Sequence, residues 1–225
     1  MECNPKKINI GVIVGIKEEL NLLKKFSSLT IDHGYKNNAS LATQRILKKN
    51  IDVIISFGLA ASINKKVKNG EIIIPKNILN EDGSIRPTSK KFFKIFSDKI
   101  KDFKINNQNL LGVSRIINTQ SDNQLILKKF KKKVSFIDME SVNIQKIAFK
   151  NKVPFLVIRV ILDDTSFAIP DFLVKCIDSK GNLIKKLFVT KILQEPIRII
   201  SLIKLFFRFK KSKKVLQKIS SNLFN

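Results

Sequence analysis

Residues 136–164 have the sequence FIDMESVNIQKIAFKNKVPFLVIRVILDD, and this stretch decides the fold. Residues 153–162 are rich in Val and Ile, which predicts a strand buried on both faces, as in a parallel sheet covered by helices. The strand is followed at once by Asp163 and Asp164, and a helix-like segment before it begins at Glu140. Because α/β sheets bind ligands beside the carboxyl ends of their strands, we expect these three acids to border one crevice.

Two further segments upstream predict buried strands. Residues 8–15 (INIGVIVG) end in a glycine turn, and apolar spacing predicts a helix over residues 17–26. Residues 32–40 (DHGYKNNAS) have the composition of a polar loop, with a helix after it that ends near residue 49. Residues 52–62 (DVIISFGLAAS) predict a second buried strand that opens into a turn of small residues, where backbone N–H groups can approach a ligand.

The middle of the chain predicts two more elements. Residues 89–101 have the Lys and Phe spacing of an amphipathic helix, and Phe92, Phe93 and Phe96 are expected to face the core. Residues 110–118 predict a strand, and a polar loop follows at residues 119–123. Ser121 suits the N-cap of the next helix.

Composition limits the class of protein. A chain of 225 residues with 44% apolar residues is most simply one globular domain with a full core. Its net charge of +25 suits nucleic acid or an anionic membrane as a partner. The lysines are spread along the chain, however, and no nucleic-acid-binding motif is visible, so a solvated Lys-rich surface is preferred for residues 1–180 and no nucleic-acid partner is expected.

Cysteine and histidine are too sparse for several kinds of site. Cys3 and Cys176 lie far apart, and His33 is the only histidine, which argues against a disulfide framework, a zinc site and a Ser-His-Asp triad. The first residues do not have the pattern of a secretory signal, and no apolar stretch has the length of a membrane span. These features predict a cytoplasmic protein with no metal ion.

The motif DMES at residues 138–141, followed by VPFLVIRVILD at residues 153–163, resembles the signature of the nucleoside phosphorylase and hydrolase superfamily. This superfamily includes methylthioadenosine/S-adenosylhomocysteine nucleosidases and purine nucleoside phosphorylases. Residues 110–119 (LLGVSRIINT) and 169–181 are similar to its hopanoid-associated phosphorylases, the adenosylhopane-cleaving branch. The resemblance implies a three-layer α/β/α fold with a mixed central sheet, release of adenine from a 5′-substituted adenosine, no organic cofactor and a homo-oligomer.

Carried over position by position, the resemblance also implies roles for individual residues. Glu19 would position the attacking water, Glu140 would bind the ribose, and Asp163 would protonate N7 of the leaving base. These three acids are therefore expected to converge on one sugar-sized hollow beside the ends of the parallel strands. Further substrate contacts would come from Met139, Gly58, Leu59 and Ala60. Part of the base pocket would lie in the loop at residues 119–123.

Carboxyl groups at these places suit the chemistry. A ribose that becomes oxocarbenium-like is stabilised by an anion, and the leaving base needs a general acid within hydrogen-bond reach. Partial burial at the end of a strand raises the pKa of a carboxyl group, as an acid working near neutral pH requires. Asp164 is the nearest substitute for Asp163, and either aspartate could instead only cap the next turn. Glu19 could likewise only favour the helix N-terminus.

The nucleophile is water or inorganic phosphate. Phosphorolytic members place arginines around the anion, and neither residues 15–17 nor residues 57–62 contain one. Hydrolysis is therefore preferred, with phosphate kept as a possible co-substrate that Arg45, Arg159 and nearby lysines could bind. Ala61 and Ser62 replace two glycines that are usual in the superfamily. A non-catalytic domain that binds a nucleoside or lipid is therefore an alternative to an enzyme. For an enzyme, methylthioadenosine or S-adenosylhomocysteine is the alternative substrate to a lipid-linked nucleoside.

The chain is expected to divide into a catalytic domain, residues 1–182, and a basic amphipathic helical extension of the same domain, residues 183–225. Pro196 suits the first position of its last helix. A basic stripe is predicted at Arg198, Ser201, Lys204 and Arg208. A wide apolar face with such a stripe, followed by four lysines at residues 210–214, is typical of a helix on an anionic membrane, here the inner face. Packing on the domain or on a second subunit is an equal alternative.

Overall fold

The computed structural model describes residues 8–117, 119–131, 133–167, 169–178 and 182–225. The strands are β1 (Ile10–Val14), β2 (Leu29–His33), β3 (Val53–Ser62), β4 (Ile72–Ile73), β5 (Asn77–Leu79), β6 (Ile85–Pro87), β7 (Ile105–Asn106), β8 (Leu110–Gly112), β9 (Phe136–Asp138) and β10 (Phe155–Asp163). The helices are α1 (Lys17–Leu23), α2 (Asn38–Ile46), α3 (Lys90–Lys99), α4 (Gln120–Lys129), α5 (Ser141–Lys150), α6 (Asp171–Lys175), α7 (Lys185–Gln194) and α8 (Arg198–Phe224).

These strands form one mixed sheet with β3 and β10 at its centre. β10 pairs in parallel with β3, which pairs in parallel with β1, and β1 pairs in parallel with β2. β9 runs antiparallel to the end of β3, and β4 runs antiparallel to β10. The buried strand predicted at residues 153–162 is confirmed, since β10 is buried from Phe155 to Ile161.

Helices cover both faces of the sheet, which confirms the predicted α/β fold with a mixed central sheet. On one face, Leu23 of α1, Phe92 and Phe96 of α3 and Leu216 of α8 pack in one apolar cluster with alternate residues of the central strands. On the other face, α2 and α5 pack through Ala42, Ile46, Ile144 and Ala148. Phe93, expected in the core, is only partly buried at the edge of the first cluster.

Several predicted boundaries are corrected. The loop expected over residues 32–40 shrinks to residues 34–37, because β2 extends to His33 in register with β1 and α2 begins at Asn38. The N-cap of α4 is Thr119 instead of Ser121, since the Thr119 hydroxyl accepts the Asp122 N–H. The small residues at the end of β3 form no turn, because Ala61 and Ser62 pair with β9 as extended strand.

The C-terminal helices are present, and the second half of α8 agrees with the alternative in which the last helix packs on the domain. α8 begins at Arg198, so Pro196 lies in the turn before it. The second half of α8 packs into the domain core through Leu216, Ile219 and Leu223. Arg208, a member of the predicted basic stripe, turns inward to pair with Asp164, and apolar side chains face outward on the first half of α8.

None of the helices built from the described residues is long and apolar enough to cross a lipid bilayer.

Candidate active site

A cavity of about 490 Å³ lies at the carboxyl ends of the parallel strands β1, β3 and β10. Glu19, Glu140 and Asp163 all line it, whereas Asp164, which was expected at the same crevice, is not among the described lining residues. They converge because α1 follows β1, α5 follows β9, and Asp163 ends β10. Of the residues expected to contact substrate, Met139, Leu59 and Ala60 also line the cavity.

Glu19 is buried and held by three backbone N–H groups. Its Oε2 accepts from Gly15 at 2.9 Å and from Ile16 at 3.1 Å, and its Oε1 accepts from Leu59 at 2.8 Å. Burial raises the pKa of Glu19 above its ordinary value, while the Arg159 charge and the three N–H groups oppose the rise. The carboxyl group is therefore fixed in position, and its raised pKa makes it a stronger base than an exposed glutamate.

Gly58 lies behind Glu19, which differs from the predicted contact with substrate. Its φ of +153° favours glycine, and a Cβ atom built there would lie 2.4 Å from Oε1 of Glu19. The absence of a side chain at Gly58 therefore leaves room for the Glu19 carboxyl group. The N–H of Leu59, expected to be open to a ligand, is likewise used by Glu19.

Glu140 lies beside a buried ion pair formed by Asp138 and Arg159. The Arg159 side chain is 1% exposed, and its Nη2 atom lies 2.7 Å from Asp138 Oδ2 and 3.5 Å from Glu140 Oε2. The other Glu140 oxygen, Oε1, accepts the Lys36 N–H at 3.2 Å. Burial raises the pKa of Glu140 to about 7; Asp138 and Glu19 add to the rise and Arg159 opposes it.

Arg159, one of the residues that could have compensated the charge of a phosphate, is instead part of a buried ion pair. Its guanidinium is used by Asp138 and by the Ser56 hydroxyl, at 2.8 Å. Arg45, the other candidate, pairs with Asp32 and its side chain is 54% exposed. The structural role of Arg159 had one signal in the sequence, a charged residue in the middle of a buried strand, which needs a buried acid as partner.

Asp163 and Asp164 have opposite environments. Asp163 faces the cavity, and burial raises its pKa to about 7, with the Asp164 charge adding to the rise and its own backbone N–H and Arg208 opposing it. Burial would also raise the pKa of Asp164. There, hydrogen bonds from Ser166 and Asn69 and the ion pair with Arg208 outweigh it and lower the pKa to about 2. Of these two aspartates, only Asp163 is therefore suited to hold a proton near neutral pH.

The part of the cavity that is lined by α6 and α8 is apolar. Its lining comes from α6, α8 and the segments beside them: Ile169, Leu173, Val174, Ile177, Leu183, Leu202, Leu205, Phe206 and Phe209. The sequence did not assign these residues to the site, because an apolar side chain in a helix looks the same whether it faces a core or a ligand. The cavity therefore has an acidic part, which includes Glu19, Glu140 and Asp163, and an apolar part lined by α6 and α8, here called the apolar end.

Arg115 is the cation among the described lining residues, and its Nη2 atom lies 2.6 Å from Asp122 on α4. Within the parts of the chain that the structure describes, no group of three or more His, Cys, Asp or Glu residues could hold a metal ion. The arrangement can therefore combine a fixed base, an anion near a sugar and a protonated acid in one place.

Comparison with known proteins finds a matching family and a similar enzyme. Residues 33–188 match the family model described as the phosphorylase superfamily. The 5′-methylthioadenosine/S-adenosylhomocysteine nucleosidase of Buchnera aphidicola subsp. Baizongia pistaciae is 26% identical, over 74% of this chain and 82% of that protein.

Two solved structures are similar along almost the whole chain. The 5′-methylthioadenosine/S-adenosylhomocysteine nucleosidase of Neisseria meningitidis, in complex with methylthio-immucillin-A, has a TM-score of 0.69 and 15% identity, covering 96% of this chain and 97% of its own. The futalosine hydrolase of Helicobacter pylori strain 26695 has a TM-score of 0.69 and 15% identity, with coverage of 96% and 97%. At such identities the similarity shows a common fold.

Proposed function

The chain belongs to the phosphorylase superfamily, and we propose that it cleaves the N-glycosidic bond of a 5′-substituted adenosine and releases adenine. The observation that carries the proposal is the cavity shared by Glu19, Glu140 and Asp163. The nucleosidase names of its relatives support the same bond as the target.

Each acid has a separate task in this reaction. Asp163, protonated near neutral pH, donates its proton to N7 of adenine as the bond to the sugar breaks. Glu140 accepts hydrogen bonds from the ribose hydroxyls, and its charge stabilises the positive charge that develops on the ring. Glu19, fixed by three N–H groups, orients a water molecule and takes its proton as the water adds to C1′ of the ribose.

We propose water as the nucleophile in preference to phosphate. Among the described lining residues the cation is Arg115, which already pairs with Asp122. Arg159 is paired inside the protein. A multiply charged phosphate would therefore meet two glutamates with no free guanidinium to offset the repulsion.

The apolar end of the cavity supports a hydrophobic 5′ substituent. An adenosylhopane-like lipid nucleoside is the favoured substrate, since the apolar lining extends along α6 and α8 beyond the three acids. The relatives are named as nucleosidases of methylthioadenosine and S-adenosylhomocysteine. These smaller substrates would fill only the part of the cavity nearest the sugar. Burial of a longer chain adds affinity in proportion to its apolar area.

The test is an adenine-release assay on purified protein. Adenosine, methylthioadenosine and 5′-alkyl adenosines of increasing chain length are compared, each in phosphate-containing and phosphate-free buffer. We expect release without phosphate and a kcat/KM that rises with chain length. Release that strictly requires phosphate would contradict hydrolysis. Binding of an adenosyl compound without release from any of them would instead indicate a non-catalytic binding domain.

A further inference from the structure

The outward side of α8 is an exposed apolar surface. Five large side chains make up this outer face of α8: Ile199, Ile200, Ile203, Phe206 and Phe207. They are between 44% and 62% exposed. Steps of three and four residues place them on one side of the helix, opposite the inward residues Leu202, Leu205 and Phe209. Leaving so much contiguous apolar surface in water is costly, which indicates a partner.

Positive charge continues the same side of the helix. Lys210 and Lys214 follow Ile203 and Phe207 at the same helical spacing, and both are exposed. Residues 183–225 contain eleven Lys and Arg and a single acid, Glu195, which pairs with Arg198. An apolar strip that runs into lysines matches an interface where lipid chains lie below anionic headgroups.

The outer face of α8 is continuous with the cavity. Phe206 is 59% exposed on the surface and also lines the cavity, together with Leu202 and Leu205 on the adjoining side of the same helix. Phe206 therefore joins the outer face of α8 to the apolar lining of the cavity.

We propose that the outer face of α8 docks on an anionic lipid surface and that the cavity receives the apolar part of its substrate from that surface. The second clause rests on the proposed function; the docking itself does not. A second copy of this chain is a poorer occupant of this face, because residues 183–225 carry eleven Lys and Arg and a single acid, and two such helices would repel each other.

The docking test is sedimentation of the full chain with vesicles. Phosphatidylcholine vesicles are compared with vesicles that also contain phosphatidylglycerol, at low and at high salt. We expect the protein to pellet only with phosphatidylglycerol and to be released by salt. Recovery of the protein in the supernatant under all these conditions would overturn the proposal.

Two variants test which surface binds. Ile203→Ser with Phe207→Ser removes apolar side chains that do not line the cavity, and we expect the vesicle partition coefficient to fall about tenfold or more. The matched control is Leu125→Ser on α4, a residue that is 64% exposed, and it should bind as the wild type does. Lys210→Gln with Lys214→Gln should also weaken binding, whereas Lys48→Gln with Lys49→Gln, two exposed residues in the turn after α2, should not.

A third measurement separates docking from catalysis and from self-association. Hydrolysis of methylthioadenosine in the absence of vesicles should be unchanged in Ile203→Ser/Phe207→Ser, and Asp163→Asn should still pellet with vesicles. If adenine is never released but the vesicle results hold, the proposed function fails and the docking stands. If Ile203→Ser/Phe207→Ser binds vesicles as well as the wild type does but turns a dimer into a monomer in sedimentation equilibrium, the face is a subunit interface and the proposal is overturned.

Discussion

Asp163 and Asp164 are adjacent in the sequence, yet their carboxyl groups have pKa values of about 7 and about 2. The difference arises because Asp163 faces the cavity without a strong partner, whereas Asp164 is held by Arg208, Asn69 and Ser166. A pair of acids whose pKa values are driven apart is a pattern of acid–base sites, with one group kept protonated and the other ionised. The pair also joins the site to α8, through Arg208.

The Asp164–Arg208 pair should stabilise the fold. We expect Asp164→Asn to lower the free energy of unfolding by about 2–4 kcal/mol, because it leaves a mostly buried arginine without its partner. The control Asp32→Asn breaks the exposed pair with Arg45 and should cost less than about 1 kcal/mol. Urea unfolding of both variants measures the difference, and equal losses would contradict this role of the pair.

The same pair predicts a dependence of stability on pH. The folded-state pKa of Asp164 is depressed, so its contribution is present above the ordinary value near 3.8 and is lost as pH falls toward 2. Wild-type protein should therefore lose more stability than Asp164→Asn between pH 4 and pH 2. Parallel pH profiles for the two proteins would show that Asp164 does not contribute in this way.

Gly58→Ala should lower activity by moving Glu19. A Cβ atom at this position would lie 2.4 Å from Oε1 of Glu19, and φ there also disfavours a side chain. Gly83→Ala is the control, because Gly83 has a φ of +86° but nothing within 4 Å of the added atom. We expect kcat to fall in Gly58→Ala and to stay unchanged in Gly83→Ala. Wild-type kcat in a folded Gly58→Ala protein would contradict the role of Glu19.

Arg159→Met should be strongly destabilising. It leaves Asp138 and Glu140 buried without their cation, which costs about 3–5 kcal/mol for a pair of this kind. Adding Asp138→Asn to the variant removes one of the uncompensated charges and should restore part of the loss. Thermal unfolding of the single and double variants tests this, and a double variant less stable than Arg159→Met would argue against the ion pair as the cause.

The sequence was sufficient for the parts of the molecule that follow a simple pattern. Strand β10, the helix start at Glu140 and the convergence of three acids were predictable, because buried strands are apolar and α/β sites lie at strand ends. Two predictions from the resemblance are confirmed, the superfamily and the class of enzyme, which cleaves N-glycosyl bonds. The evidence is the family match over residues 33–188 and the nucleosidase relative. The resemblance to the hopanoid-associated branch stays a prediction.

The remaining features depend on tertiary contacts that a single sequence does not show. The sequence predicts that Arg198 and Arg208 lie on one side of α8. It does not predict that this side faces the domain, because that depends on the ion pair between Arg208 and Asp164, which is far away in the chain. The role of Gly58 depends on Glu19, which approaches from another element. Residues 61 and 62 stay extended because β9 pairs with them, so the absence of two glycines does not disturb the backbone there.

The role of Asp163 as the general acid is tested most directly by the pH dependence of adenine release, measured for wild-type protein and for Asp163→Asn. Asp163 acts in its protonated form, so kcat/KM of the wild type should fall as pH rises through about 7. Asp163→Asn should be slower by about 10²–10⁴-fold and should lack this alkaline decline. A variant that releases adenine at the wild-type rate, or that keeps the same decline near pH 7, would contradict Asp163 as the general acid.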